Sequence, residues 1–253
     1  MESIAKITPE NLHKCYKNFY NPSNMVLCVA GNVDAERVFE IVDELVKPND
    51  GQVPECISPE EPYNIVTDRV EQHFEIAMRM FQLGFKEKAG KDPLTEEQLV
   101  QTDIILQVLA SKSSRLYKRL LDESLINDSF GYEYFEGYGY AAVIFSGESK
   151  DPDKTAKIIR EAIAELHKNG VDKDDFERAK KLVYGRNVAM LNSAENIANE
   201  MMKLSFAGRE LFHAVECIAN TTLNQVNDRL RHQLDNKNSS LSIVLPLPDK
   251  KGN

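Results

Sequence analysis

The 253-residue sequence contains no apolar run near the ~20 residues that a membrane-spanning helix needs. Its first residues, Met1-Glu2-Ser3-Ile4-Ala5-Lys6, lack a basic segment followed by an apolar one, so no secretory signal is read there. Basic residues are in deficit, 31 Lys and Arg against 40 Asp and Glu, for a net charge of −9. A phosphate-binding surface needs the opposite balance, so neither nucleic acid nor membrane is an expected partner. An acidic surface can attract basic peptides, although the same charge also serves solubility. Cysteine is scarce. Cys15, Cys28, Cys56 and Cys217 form no C-x-x-C pair, which points to a reducing, cytoplasmic location and to no cysteine-based metal site. What remains is 42% hydrophobic and 28% charged, ordinary proportions for a chain that buries a core.

Helical spacing begins early. Thr8 is placed to cap, Pro9 suits the first helical position, and Leu12, Cys15, Tyr16, Phe19 and Tyr20 make one apolar face. After an Asn21-Pro22-Ser23-Asn24 turn, Met25 to Ala30 is apolar on both faces and reads as a central, buried strand, with Cys28 as a small core residue. Asp34 caps a further helix whose buried side is expected to be Val38, Phe39, Ile41, Val42, Leu45 and Val46. Residues 47 to 63 gather Pro48, Gly51, Pro54, Pro59 and Pro62 with several glutamates, the strongest linker signal in the chain.

Beyond it, residues 64–86 read as a strand region that alternates from Phe74. Thr95-Glu96-Glu97-Gln98 is a capping box opening a helix through Leu109, and Ser113-Ser114 start another. Residues 129–136 and 138–148 read as two strands turning at Gly137. Helices follow over 151–168, from Asp172 towards Leu191, and near 193–218 and 222–234, before a last strand at 241–246. Hairpin-linked strands alternating with helix pairs predict an α+β fold, helices packed on a mostly antiparallel sheet. Residues 1–47 offer one buried strand and no partner for it. Unpaired backbone groups there are costly, so the partner strands lie outside this chain or come from another copy, and the chain alone is expected to form a homodimer.

The passages Glu2 to Leu12 and Asn18 to Asn32 closely resemble the insulinase/pitrilysin zinc metallopeptidases, and Ser113-Ser114-Arg115-Leu116-Tyr117 matches a second landmark of that family. The resemblance implies a layout: residues 1–47 as the end of the first family domain, 48–60 as linker, and 61–253 as a complete second, zinc-free peptidase-family domain. Such domains enclose a chamber for peptide substrates, and a bound peptide often adds a strand to a sheet edge.

The family's chemistry uses H-x-x-E-H on one helix with a distant glutamate as third zinc ligand, the motif's Glu acting as general base. His13, His73, His167, His213 and His232 do not form it. The nearest imitation, His213-Ala214-Val215-Glu216-Cys217, is read as chance. The resemblance therefore implies no catalytic residue and no metal in this chain, zinc in the full-length parent, and a partner role for an amino-terminal zinc-bearing half or a separate subunit. It also implies an Arg and a Tyr that hold the substrate carbonyl. Alignment on Ser113-Ser114 places them near Leu121 and Asn127, neither of the expected type. Arg119 and Tyr132 are the nearby substitutes, read equally as a solvated helix residue and a sheet residue. The aromatic group Phe130, Tyr132, Tyr134, Phe135, Tyr138 and Tyr140 either grips peptide or packs across strands. Lys180, Lys181 and Arg186 read as a solvated face. Two functions stay open: the substrate-chamber part of a zinc-dependent endopeptidase acting on peptides or small unfolded proteins, inactive alone, and a non-catalytic peptide-binding or partner subunit, a plain scaffold being a third.

Overall fold

The computed structural model describes residues 2–47, 55, 57, 61–88, 94–137 and 139–248. In chain order the elements are α1 (Glu2–Ala5), α2 (Pro9–Phe19), α3 (Ala35–Leu45), β1 (Arg69–Phe74), β2 (Met80–Glu87), α4 (Glu96–Ala110), α5 (Arg115–Asp122), β3 (Gly131–Gly137), β4 (Tyr140–Glu148), α6 (Pro152–Asn169), α7 (Lys173–Met190), α8 (Ala194–Phe206), α9 (Leu211–Asn220), α10 (Leu223–Leu230) and β5 (Ser239–Pro246). Packing divides the chain into two units. One is Met1–Ser58 with Ala189–Leu211, the other Pro59–Val188 with Phe212–Asn253. The sequence layout runs 61–253 without interruption, whereas the structure groups residues 189–211 with the amino-terminal ones. The expected linker, 48–60, lies outside the described residues except at 55 and 57.

In the amino-terminal unit, local signals act as read. The Thr8 hydroxyl accepts from the Asn11 N–H at the start of α2, with Pro9 in the first turn. The Asp34 carboxylate accepts from the Glu36 and Arg37 N–H groups at the start of α3. The burial expected of these helices does not follow. Neither holds a buried residue, and Leu12, Phe19, Phe39 and Leu45 are 60%, 54%, 63% and 71% exposed. Residues 25–30 are extended but join no sheet among the described residues. Leu27 is 66% exposed and Cys28 is half-buried, so the expected central strand and core cysteine lack their cover. The expected helix near 193–218 is two helices, α8 and α9. Gly208 adopts φ +66, a left-handed conformation that ends the first of them.

The second unit is the α+β body. Its five-stranded sheet has the order β1-β5-β2-β4-β3. β1 runs parallel to β5, and the other neighbours are antiparallel. The region read as one strand over 64–86 is two, β1 and β2, because β5 inserts between them; the chain breaks over 75–79. The hairpin β3–β4 turns at 138–139, with Gly139 at φ +82, two residues beyond Gly137. Period-two alternation decides the sheet faces. Phe81, Leu83, Phe85, Val143, Phe145, Leu241 and Ile243 are buried on one of them. Each such side chain contributes roughly 1.5–3 kcal/mol of transfer free energy.

Helices cover that face. α4 is buried almost all round, through Ile104, Ile105, Leu106, Val108 and Leu109, and is the central helix of the core. Its capping box is formed as read, Thr95 with Gln98. α5 adds Leu116, Tyr117 and Leu120, α6 adds Ile158, Ile159 and Ile163, and α7 adds Phe176 and Val183. One buried polar network ties α4, α10 and the sheet together. Arg229 lies 2.5 Å from the Glu87 carboxylate and donates to the Thr102 hydroxyl, while Tyr134 and Gln233 also donate to Glu87. Burial, then the Glu87 charge, raises the Tyr134 phenol well above its usual range, so it stays a donor.

Candidate functional site

Arg119 lies on the exposed side of α5. Its guanidinium pairs with Glu123, one turn on, and with Glu161 of α6. Tyr132 lies on β3 with its ring against Phe145. It lines a cleft of about 340 Å³ with Asp103 and Arg186, and Arg119 is not among the lining residues. Burial first, then the Asp103 charge, pushes the Tyr132 hydroxyl up to about 12. The structure gives Arg119 and Tyr132 separate settings. At the aligned positions, Leu121 is half-exposed, and the Asn127 amide donates to Glu148 at 2.6 Å.

The aromatic group divides across the pleat. Phe130 is buried against Phe81 and Tyr117, and Tyr132 and Tyr134 face the core. Phe135 and Tyr140 pair on the opposite face, centroids 5.2 Å apart, beside a cleft of about 470 Å³ that includes Gly84, Ala142 and Ile144. Tyr138 lies outside the described residues. The sheet thus presents an uncovered face with two aromatic rings and, in β3, an outer strand. The basic face read on α7 is partly engaged. The Lys180 ammonium donates to the Ala219 and Thr221 carbonyls, closing the end of α9, and Arg186 pairs with Asp103. Burial raises the Asp103 carboxyl and the Arg186 charge partly opposes this.

No two histidines share a helix. His13 is on α2, His73 on β1, His167 on α6, His213 on α9 and His232 just after α10. His213 and Cys217 stand one turn apart on α9, however, and Glu97 at the start of α4 meets them. The His213 Nε2 lies 3.5 Å from the Cys217 Sγ and 3.7 Å from the Glu97 Oε1. Backbone and Thr95 hydrogen bonds hold the Glu97 carboxyl below its usual range, while burial and then the Glu97 charge push the Cys217 thiol up to about 11. Sequence reasoning missed Glu97, since no local pattern links it to residues so far along the chain.

A family model described as the peptidase M16 inactive domain matches residues 6–183. The chain belongs to the M16 peptidase family. An uncharacterised zinc protease of Bacillus subtilis, YmfH, is 28% identical over 257 residues, covering 97% of this chain and 58% of its own. An M16-like peptidase structure from Alicyclobacillus acidocaldarius is 29% identical with a TM-score of 0.87, over 97% of this chain and 60% of that one. An M16 inactive domain from Pseudomonas fluorescens, at 17% identity and TM-score 0.80, shares the fold over 99% of this chain and 60% of that one. The chain thus spans 58% of the Bacillus relative's length. Zinc in the parent accords with the relatives' names, and the M16 motif is a poor fit to the residues present here, since H-x-x-E-H is not in the sequence and no helix supplies two histidines. Among the described residues, no helix of this M16 chain is long and apolar enough to cross a membrane.

Proposed function

We propose that this chain is the metal-free half of a zinc-dependent endopeptidase chamber, acting on extended peptides or small unfolded proteins. One observation carries the reading: an M16 inactive-domain fold presents an outer strand and an aromatic-bearing open face, while its sequence lacks the zinc motif. An extended peptide adding to an outer strand gains main-chain hydrogen bonds without sequence preference, which suits a general peptidase. The H-x-x-E-H helix would come from an amino-terminal half of the same protein or from a partner subunit, in the cytoplasm. The test joins this chain to such a zinc-bearing half and follows cleavage of an unstructured peptide. Cleavage by the joined protein alone, lost on chelation, is expected. Cleavage by this chain alone, or none by a joined protein with an intact motif, overturns the reading.

A second reading has its own observation. Leu121 and Asn127 occupy the positions aligned with the carbonyl-holding pair, and Arg119 is held in surface ion pairs. The parent then serves as a peptide-binding or partner subunit, and a joined protein that binds peptide without cutting it marks that outcome. If Arg119 and Tyr132 are structural, Arg119→Ala and Tyr132→Phe in the joined protein leave kcat within a factor of about two. The uncovered 25–30 segment further suggests that the chain on its own self-associates as a homodimer. Light scattering should give the dimer mass, and a clean monomer ends that idea.

A further inference from the structure

We propose that Glu97, His213 and Cys217 form a binding site for a divalent metal ion of the zinc class, joining the start of α4 to α9. The three side chains are two helix positions one turn apart and one carboxylate from a distant helix, all within the second unit. Their donor atoms lie within 4.8 Å of one another. Tetrahedral zinc, with bonds of about 2.3 Å to sulfur and about 2.0–2.1 Å to nitrogen and oxygen, separates its ligands by about 3.4–3.6 Å. The Sγ–Nε2 distance is 3.5 Å and the Nε2–Oε1 distance 3.7 Å. A small rotation of the exposed Glu97 carboxylate completes the set.

The chemistry fits a borderline-soft ion. A thiolate, an imidazole and a carboxylate together exclude magnesium and calcium, which take oxygen ligands, and favour zinc or its cobalt(II) substitute. Cys217 is buried while Glu97 and His213 face a cleft of about 140 Å³, so the fourth position opens to solvent. Three protein ligands with one open position is the arrangement of reactive zinc sites, in contrast to closed four-ligand structural ones. Gln101, Glu216 and Gln225 line the same cleft and can hydrogen-bond a bound water. The sequence alone gave the His213–Cys217 pentapeptide no weight. The position of Glu97 in the fold is what changes that.

Cobalt(II) titration of the reduced full chain tests the site. One equivalent should produce a thiolate-to-cobalt charge-transfer absorption that zinc displaces, and zinc should raise the thermal unfolding midpoint. The absorption should vanish in Cys217→Ala and survive when Cys15, Cys28 and Cys56 are all changed to Ser. Absence of the absorption in the wild-type chain, or its persistence in Cys217→Ala, overturns the site and leaves a thiol–imidazole hydrogen bond. Should Cys217→Ala misfold by circular dichroism, Glu97→Gln and His213→Gln at exposed positions decide. Each is expected to weaken cobalt binding at least ~10-fold, and unchanged affinity in both refutes the proposal.

Discussion

The two units carry similar local code and reach different ends. α2 and α3 have proper caps and clear apolar stripes, and their apolar side chains remain exposed. α4, α5 and α6 have comparable caps, and their apolar side chains are buried against a sheet. The lesson is that capping and periodicity specify a helix and its face, whereas burial needs a second surface to receive that face. In the second unit β2, β4 and β5 supply it. In the amino-terminal unit residues 25–30 are extended and join no sheet among the described residues.

This contrast can be broken by mutation. Phe145→Ala, at a fully buried centre of the sheet, should cost about 3–5 kcal/mol in urea unfolding. Arg229→Ala should cost a similar ~3–5 kcal/mol, because it strands the Glu87 carboxylate in the core. Thr222→Ala removes the capping box of α10 and should cost about 1 kcal/mol. Phe39→Ala, at a residue 63% exposed in α3, should change stability by less than about 0.5 kcal/mol in the chain alone. A large Phe39 effect would show that α3 is covered in solution, and the contrast would fail.

Alkaline pH sharpens the same comparison at the sheet edge. The Tyr132 hydroxyl titrates near about 12 in the folded protein against about 10 unfolded. Between those values the unfolded chain has lost the proton and the folded one has kept it. Its contribution to stability is therefore complete below pH ~10 and lost as the pH rises through ~12. Urea unfolding of Tyr132→Phe should show a shallower alkaline decline than the wild-type chain. Equal slopes would place Tyr132 in water.

Much of the fold was legible because its signals are local. Thr8, Asp34, Thr95, Ser114, Asp151 and Thr222 each cap the helix expected of them. The alternation of Phe81, Leu83 and Phe85 predicts the buried face of β2. The misses have non-local causes. No signal in residues 64–86 reveals that β5, far along the chain, pairs with both β1 and β2. Lys180 looked solvated because its partners are carbonyls at the end of α9.

The sequence by itself determined the family, through the Glu2–Asn32 and Ser113–Tyr117 passages, and determined that this chain carries no H-x-x-E-H. It also determined most helix starts, since a cap and its N–H partner lie within three residues of each other. Only the tertiary structure decided that Arg119 and Tyr132 occupy separate settings and that Glu97 meets His213 and Cys217. Those relations join residues far apart in the chain. Distances between them are fixed by how helices pack on the sheet, which no local pattern of residues encodes.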